Sequence, residues 1–174
     1  MEFHPNETIN EILAEDEVNR CKNRALWIIS ATPKSVNMIR KKLSSEGFSD
    51  QAIEKTLLFM EEYSFVDDEE LARSIIRSGN SKKNSTRQIQ QKLFEKGIDK
   101  ENAESILSEF DLDEEGKAFE IALKKYLRVQ GKTKEEQLKK IRYALSYKGF
   151  SYEAIRFAIN KITEIINDTD EAEE

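Results

Sequence analysis

Cysteine, histidine, proline and glycine are all scarce in this chain. Among 174 residues there are one Cys, one His, two Pro and six Gly. A single thiol excludes an internal disulfide, and with one histidine, His4, beside it no zinc set, Cys–His pair or Ser–His relay can be assembled. Cys21 reads instead as a small buried apolar residue. So little proline and glycine leaves few places for long loops, and the composition suits a helical protein in which sheet is not expected. No apolar run approaches the roughly 18 residues that span a bilayer. The acidic opening MEFHPNETINE lacks the basic and apolar regions of a signal peptide, so the chain is expected to be cytoplasmic, without membrane association. No Gly-rich phosphate loop of either standard spacing is present, which argues against nucleotide hydrolysis, and no cofactor is expected.

Charge, by contrast, is abundant: 36% of residues are Asp, Glu, Lys or Arg, and the formal net charge is −6. Taken whole, that sign argues against a nucleic-acid-associated protein. The distribution alters the reading. Residues 1–20 hold six acids and one base and residues 163–174 six acids and no base, so the stretch between them carries a net +5. Its most basic part is 112–162, with twelve bases and seven acids. Much of this charge must simply be solvated on helix surfaces.

A block of 22 residues recurs three times, at 39–60 (IRKKLSSEGFSDQAIEKTLLFM), 89–110 (IQQKLFEKGIDKENAESILSEF) and 141–162 (IRYALSYKGFSYEAIRFAINKI), with starts 50 and 52 residues apart. Recurrence at such a period marks an array of one structural unit. Each copy sets an apolar pair one helical turn apart: Ile39 and Leu43, Ile89 and Leu93, Ile141 and Leu145. Four residues on stands Gly47, Gly97 or Gly149, suited to the left-handed conformation that ends a helix. Then come an apolar anchor (Phe48, Ile98, Phe150) and a residue able to cap a new helix (Ser49, Asp99, Ser151). The new helix carries its own stripe: Ile53, Leu57, Met60; Ala103, Leu107, Phe110; Ile155, Ile159, Ile162.

Each block is preceded by a further helical pattern, so the expected fold is all-α, three tandem three-helix repeats forming an elongated, curved modular array. The expected divisions are an acidic, partly helical lead at 1–18, repeats at 19–64, 65–111 and 112–166, and an acidic tail at 167–174 that frays. In the first repeat the helices are expected at about 19–31, 34–46 and 50–63, with a leading helix at 7–24 running into them, and Pro33 stopping the first. The second repeat opens at Asp67 with Glu70 three residues on, and its inner face is Leu71, Ala72, Ile75 and Ile76. The polar stretch 78–85 (SGNSKKNS) is the best candidate for a loop. The third begins near Asp113, and Thr133 with Glu136 makes a capping-box pattern at its central helix.

Two acidic clusters imitate active sites. Asp67, Asp68, Glu69 and Glu70 resemble paired catalytic carboxylates, but acids in a first turn are what the helix dipole favours. Asp111, Asp113, Glu115 and Gly116 imitate the start of a calcium loop, yet the twelfth position is Ala122 where a bidentate Glu is required. The pattern points to binding, and an enzyme is not expected.

The residues quoted above resemble the RecX family, bacterial regulators of the recombinase RecA. The likeness covers roughly 17–163. It rests on Asn23-Arg24-Ala25-Leu26, on Ile39-Arg40-Lys41-Lys42-Leu43 with Gly47-Phe48, and on Val66-Asp67-Asp68, Ala72, Arg77, Arg87, Leu93 and Lys96-Gly97. In the third repeat Arg142, Gly149-Phe150-Ser151-Tyr152 and Ile155-Arg156 agree with the family's closing motif. Leu71 departs from the family's usual aromatic residue and Ser85 from a frequent loop glycine. The resemblance implies a monomer that inserts along the groove of the RecA filament on single-stranded DNA, suppresses its ATPase and strand exchange, and acts in DNA repair and recombination. The acidic ends leave direct DNA binding weak.

Outward charges on the central helices are the candidate contacts: Arg40, Lys41 and Lys42; Arg87 and Lys92; Lys139, Lys140 and Arg142. Lys82 and Lys83 join them from the polar stretch, and Lys124, Lys125 and Arg128 from the first helix of repeat three. The alternative is a helix-turn-helix-like protein reading duplex DNA, since short helices joined through glycine also build that motif. A protein-binding scaffold unconnected with recombination is the third reading.

Overall fold

A computed structural model describes residues 5–129 and 133–172, with side chains described from 10 to 129 and from 133 to 168. All regular structure among the described residues is α-helix. The elements are α1 (Pro5–Ser30), α2 (Val36–Ser45), α3 (Asp50–Glu62), α4 (Asp68–Ser81), α5 (Thr86–Glu95), α6 (Lys100–Ser108), α7 (Glu114–Arg128), α8 (Lys134–Tyr147) and α9 (Tyr152–Ala172). The chain divides into two compact units, Met1–Arg73 with Leu93–Ala103, and Ser74–Lys92 with Glu104–Glu174.

The recurring block folds the same way in all three copies. Gly47, Gly97 and Gly149 take φ of +87°, +80° and +76°. The amide after each glycine donates to the carbonyl five residues back, Phe48 to Leu43 at 3.4 Å, Ile98 to Leu93 at 3.0 Å and Phe150 to Leu145 at 3.2 Å. The glycine amides donate to Ser44, Phe94 and Ser146. This paired pattern satisfies the carbonyls that a helix end would otherwise leave orphaned. The next helix then starts on a side-chain cap: the amides of Ala52, Asn102 and Ala154 donate to Ser49 Oγ (3.3 Å), Asp99 Oδ1 (3.0 Å) and Ser151 Oγ (3.3 Å). The Ile39/Leu43, Ile89/Leu93 and Ile141/Leu145 pairs are all fully buried.

In the first unit α1 packs against α2 and α3 through Val18, Cys21, Ala25 and Ile28, which face Ile39, Leu43, Ile53, Leu57 and Met60. Spacings of three and four residues place these four side chains on one stripe of α1. Burial raises the pKa of the Cys21 thiol, so it behaves as the apolar filler its solitude implies. The lead and the first repeat's opening helix are one uninterrupted element from Pro5. At its far end Arg24 makes two hydrogen bonds to Glu46, of 2.6 and 2.5 Å, and lies over the Trp27 ring.

In the second unit α7 packs most extensively on α9, with α8 touching both. Ala118 and Ala122 meet a face carrying Ala154 and Ala158, so the two backbones approach closely, and Ile155, Ile159, Ile162 and Ile166 fill the remainder with Ile141, Leu145 and Phe150. The backbone of α9 continues to Ala172, past Ile166, where the sequence pattern predicts fraying.

Each unit also contains a seam between successive repeats, built to one plan. In the first, Ser35 caps α2 by accepting from Met38 N, and Val36 N donates to Asp68 Oδ1 at 2.9 Å from the start of α4. The Gly97 turn lies so close that a Cβ there would sit 2.5 Å from Ser35 Oγ. In the second, Ser85 Oγ accepts from Gln88 N and donates to Lys148 O at 2.7 Å, beside the Gly149 turn, while Thr86 N donates to Glu114 Oε1 at 3.2 Å. A carboxylate from one repeat thereby supplies an acceptor to a free amide at the helix start of the repeat before it. Ser35 and Ser85 are both fully buried, whereas Thr133, the cap at the same place in the third repeat, is exposed.

The polar stretch 78–85 is mostly not a loop. Helix α4 runs to Ser81 and closes with Lys83 in the left-handed region, φ +57°, as Asn84 N donates to Gly79 O. That ending normally takes glycine. Lys83 holds it while its ammonium pairs with Glu120.

Candidate functional site

Packing of α7 against α8 decides which of the candidate cations meet. Burial of Ile141 and Leu145 turns one side of α8 inward and leaves Lys139, Lys140, Tyr143 and Tyr147 on the other. The same logic on α7 buries Ala118 and Ala122 and sets Lys125 at the edge facing α8. Along α8, bounded by Lys125 of α7 and Gln88 of α5, lies an open groove of about 880 Å³ to which Lys148 also contributes. Its lining contains four lysines and one carboxylate, Glu136. Tyr143 and Tyr147 are 73% and 83% exposed, with ring centroids 6.4 Å apart and planes inclined by 22°.

Lys125, Lys139 and Lys140, three of the sequence-predicted contacts, are therefore brought together. Arg142 is exposed on α8 but does not line the groove, and Lys124 and Arg128 are exposed on α7. Arg87, on α5, lies against the Gly149 turn, and Lys92 is exposed in the last turn of the same helix. Lys82 is exposed at the end of α4.

Several candidates already have intramolecular partners. Arg40 binds Glu54 with both guanidinium ends, and this pairing lowers the Glu54 pKa. Lys42 lies 3.3 Å from Glu46, and Lys83 is held by Glu120. Lys41 is exposed at a shallow depression of α2 shared with Arg40 and Asp50. Such pairs hold a cation in place at the surface and blunt its field.

Sequence reasoning passed over Tyr143, Tyr147 and Lys148. The signal was present, two tyrosines four residues apart at positions that the Ile141/Leu145 stripe leaves outside. It also passed over Lys117, whose Nζ is buried without a hydrogen-bond partner and whose pKa burial lowers, against the pull of Glu114, Asp113 and Asp111.

The acidic clusters are helix starts. Glu70 N donates to Asp67 Oδ1 at 2.8 Å and Gly116 N to Asp113 Oδ1 at 3.0 Å. Among the described residues no group of three or more His, Cys, Asp or Glu is arranged to hold a metal ion, and no helix is long and apolar enough to cross a membrane.

Comparison with known proteins accords with this architecture. Residues 21–60, 67–107 and 113–159 match the first, second and third three-helix domains of RecX. The regulatory protein RecX of Clostridioides difficile is 36% identical over 158 residues, covering 90% of this chain and 74% of the relative. That of Clostridium perfringens strain 13 is 32% identical over 161 residues, 90% and 75% of the two chains. The crystal structure of RecX from Lactobacillus salivarius superposes with a TM-score of 0.77 at 24% identity, over 86% of this chain and 98% of that one, a likeness of fold. With three domains matched in order across most of its length, the chain belongs to the RecX family.

Proposed function

We propose that this protein regulates a RecA-type recombinase by binding the filament that the recombinase forms on single-stranded DNA and restraining its ATP hydrolysis and strand exchange, without catalysing a reaction itself. Family membership through all three three-helix domains is the observation that carries this reading. The physical arrangement supports it. Apolar stripes are consumed inside each unit, and the outward faces of α7 and α8 are left rich in lysine, a charge complementary to acidic protein groups or to phosphate. Contacts between exposed charges contribute only about 0.2–1 kcal/mol each, so binding of this kind draws on many of them along a repeated surface.

Reversing three charges at once, Lys139→Glu, Lys140→Glu and Arg142→Glu, tests the assignment. At roughly 0.5–1 kcal/mol for each reversal, affinity for a preformed filament is expected to fall about tenfold or more. Helical circular dichroism stays unchanged because all three side chains are exposed. Filament binding indistinguishable from that of the unaltered protein would remove this face from the interface. Selective binding to one duplex sequence, with each base-pair change costing about 1–3 kcal/mol, would replace the reading with a helix-turn-helix one.

A further inference from the structure

We propose that the groove along α8 is a binding site for single-stranded nucleic acid in its own right, with Tyr143 and Tyr147 as a stacking platform for unpaired bases. Two properties of the site converge on that ligand. The first is the pair of rings. An i, i+4 aromatic pair on a helix commonly serves packing, but these two are 73% and 83% exposed and belong to no core cluster. Their planes are within 22° of parallel with centroids 6.4 Å apart, so the two rings form one aligned aromatic surface that is mostly in solvent. Large aromatic surface left in water at this cost is the pattern expected where flat, apolar ligand faces are to be received.

The second is the charge beside them. Lys125, Lys139, Lys140 and Lys148 line the same groove against the single carboxylate of Glu136. Stacking platforms and flanking cations together are the two components by which proteins hold single strands without reading sequence. An acidic polypeptide would satisfy the lysines and leave the tyrosine faces unused. A duplex presents phosphate but keeps its bases stacked inside, again leaving the rings idle. A strand with unpaired bases engages both at once. The site lies wholly within one compact unit and shares Lys139 and Lys140 with the face assigned above to the filament, so its test uses free oligonucleotide without recombinase and turns on the two tyrosines.

The experiment uses the full chain and a fluorescein-labelled oligothymidylate at low salt, followed by anisotropy. Tyr143→Ala with Tyr147→Ala is expected to weaken binding about tenfold or more, while Tyr143→Phe with Tyr147→Phe retains it, because stacking needs the ring and not the hydroxyl. The logarithmic salt dependence is expected to have a slope of about −2 to −3, from three or four displaced counterions. Neutralising Lys125, Lys139 and Lys148 to Gln flattens it. As a readout on the unaltered protein, an oligonucleotide carrying iododeoxyuridine is expected to photocrosslink at Tyr143 or Tyr147. Equal affinity of the alanine variant, displacement of the oligonucleotide by polyglutamate at equal phosphate and carboxylate concentration, a preference for duplex, or crosslinks confined to other residues would each overturn the proposal.

Discussion

Two glycines of the same motif separate backbone strain from packing at the seam between repeats. Gly47 and Gly97 both sit at left-handed φ, +87° and +80°. A Cβ at Gly47 would meet nothing within 4 Å, whereas one at Gly97 would lie 2.5 Å from Ser35 Oγ and 3.0 Å from Met38 Cγ. Alanine at either position carries the left-handed penalty of about 1–2 kcal/mol, reduced by the ~0.4–1 kcal/mol that a less free unfolded chain returns. Gly47→Ala is therefore expected to cost about 1 kcal/mol. Gly97→Ala adds an overpacking cost of about 1–3 kcal/mol, because Ser35 Oγ cannot retreat without loosening its bond to Met38 N at 3.2 Å. Urea denaturation followed by the fluorescence of Trp27, the sole tryptophan and a member of the same compact unit as both glycines, reads the difference, with far-UV circular dichroism as the second probe. Equal midpoints and slopes for the two variants would show that the seam yields without resistance and refute the packing argument.

Lys117→Leu is expected to stabilise the protein by about 1–2 kcal/mol at neutral pH, since it replaces a buried, unpartnered ammonium with the residue that stands at the matching place after the Asp67 cap, Leu71. Burial lowers the Lys117 pKa, so the charged form is penalised by folding. The advantage of the variant accordingly shrinks as pH rises through the folded pKa towards the ordinary lysine value, and an advantage that does not vary with pH would contradict the mechanism. Hydrogen bonding from Arg24, reinforced by Lys42, lowers the Glu46 pKa from 4.5 to about 2 against the opposing effect of desolvation. The stability it contributes is complete above about pH 4.5 and is lost as pH falls towards 2, so Glu46→Gln is expected to flatten that part of the acid-unfolding profile; an unchanged profile would remove Glu46 from the account.

The parts of this fold that could be read from residues were those governed by local chemistry. Glycine followed by an apolar anchor and a capping side chain specified three helix–turn–helix blocks, and each of Ser49, Asp99, Ser151 and Thr133 caps the helix it was expected to cap. Lys83 shows where local rules fail. A lysine at positive φ is not a recognisable helix stop, and what accompanies it, the pairing with Glu120, comes from a residue far along the chain. The seams were hidden for the same reason. Ser85 looked like a loop residue replacing glycine, yet it is a buried cap that also reaches Lys148 O. Among the cations, charge alone did not distinguish Arg40, whose guanidinium is taken up by Glu54, from Lys139, which opens onto a groove. The period of α8 already sets Lys139, Lys140, Tyr143 and Tyr147 on one face, whereas the addition of Lys125 to that surface needed the packing of α7 beside it.

Regulation of the filament is read from the rate of ATP hydrolysis by the cognate RecA-type recombinase on single-stranded DNA as this protein is titrated in. With the unaltered chain the rate is expected to fall progressively and saturably, and for the variant carrying Lys139→Glu, Lys140→Glu and Arg142→Glu the curve is displaced to higher concentration. A rate that stays constant across the titration would contradict that regulation.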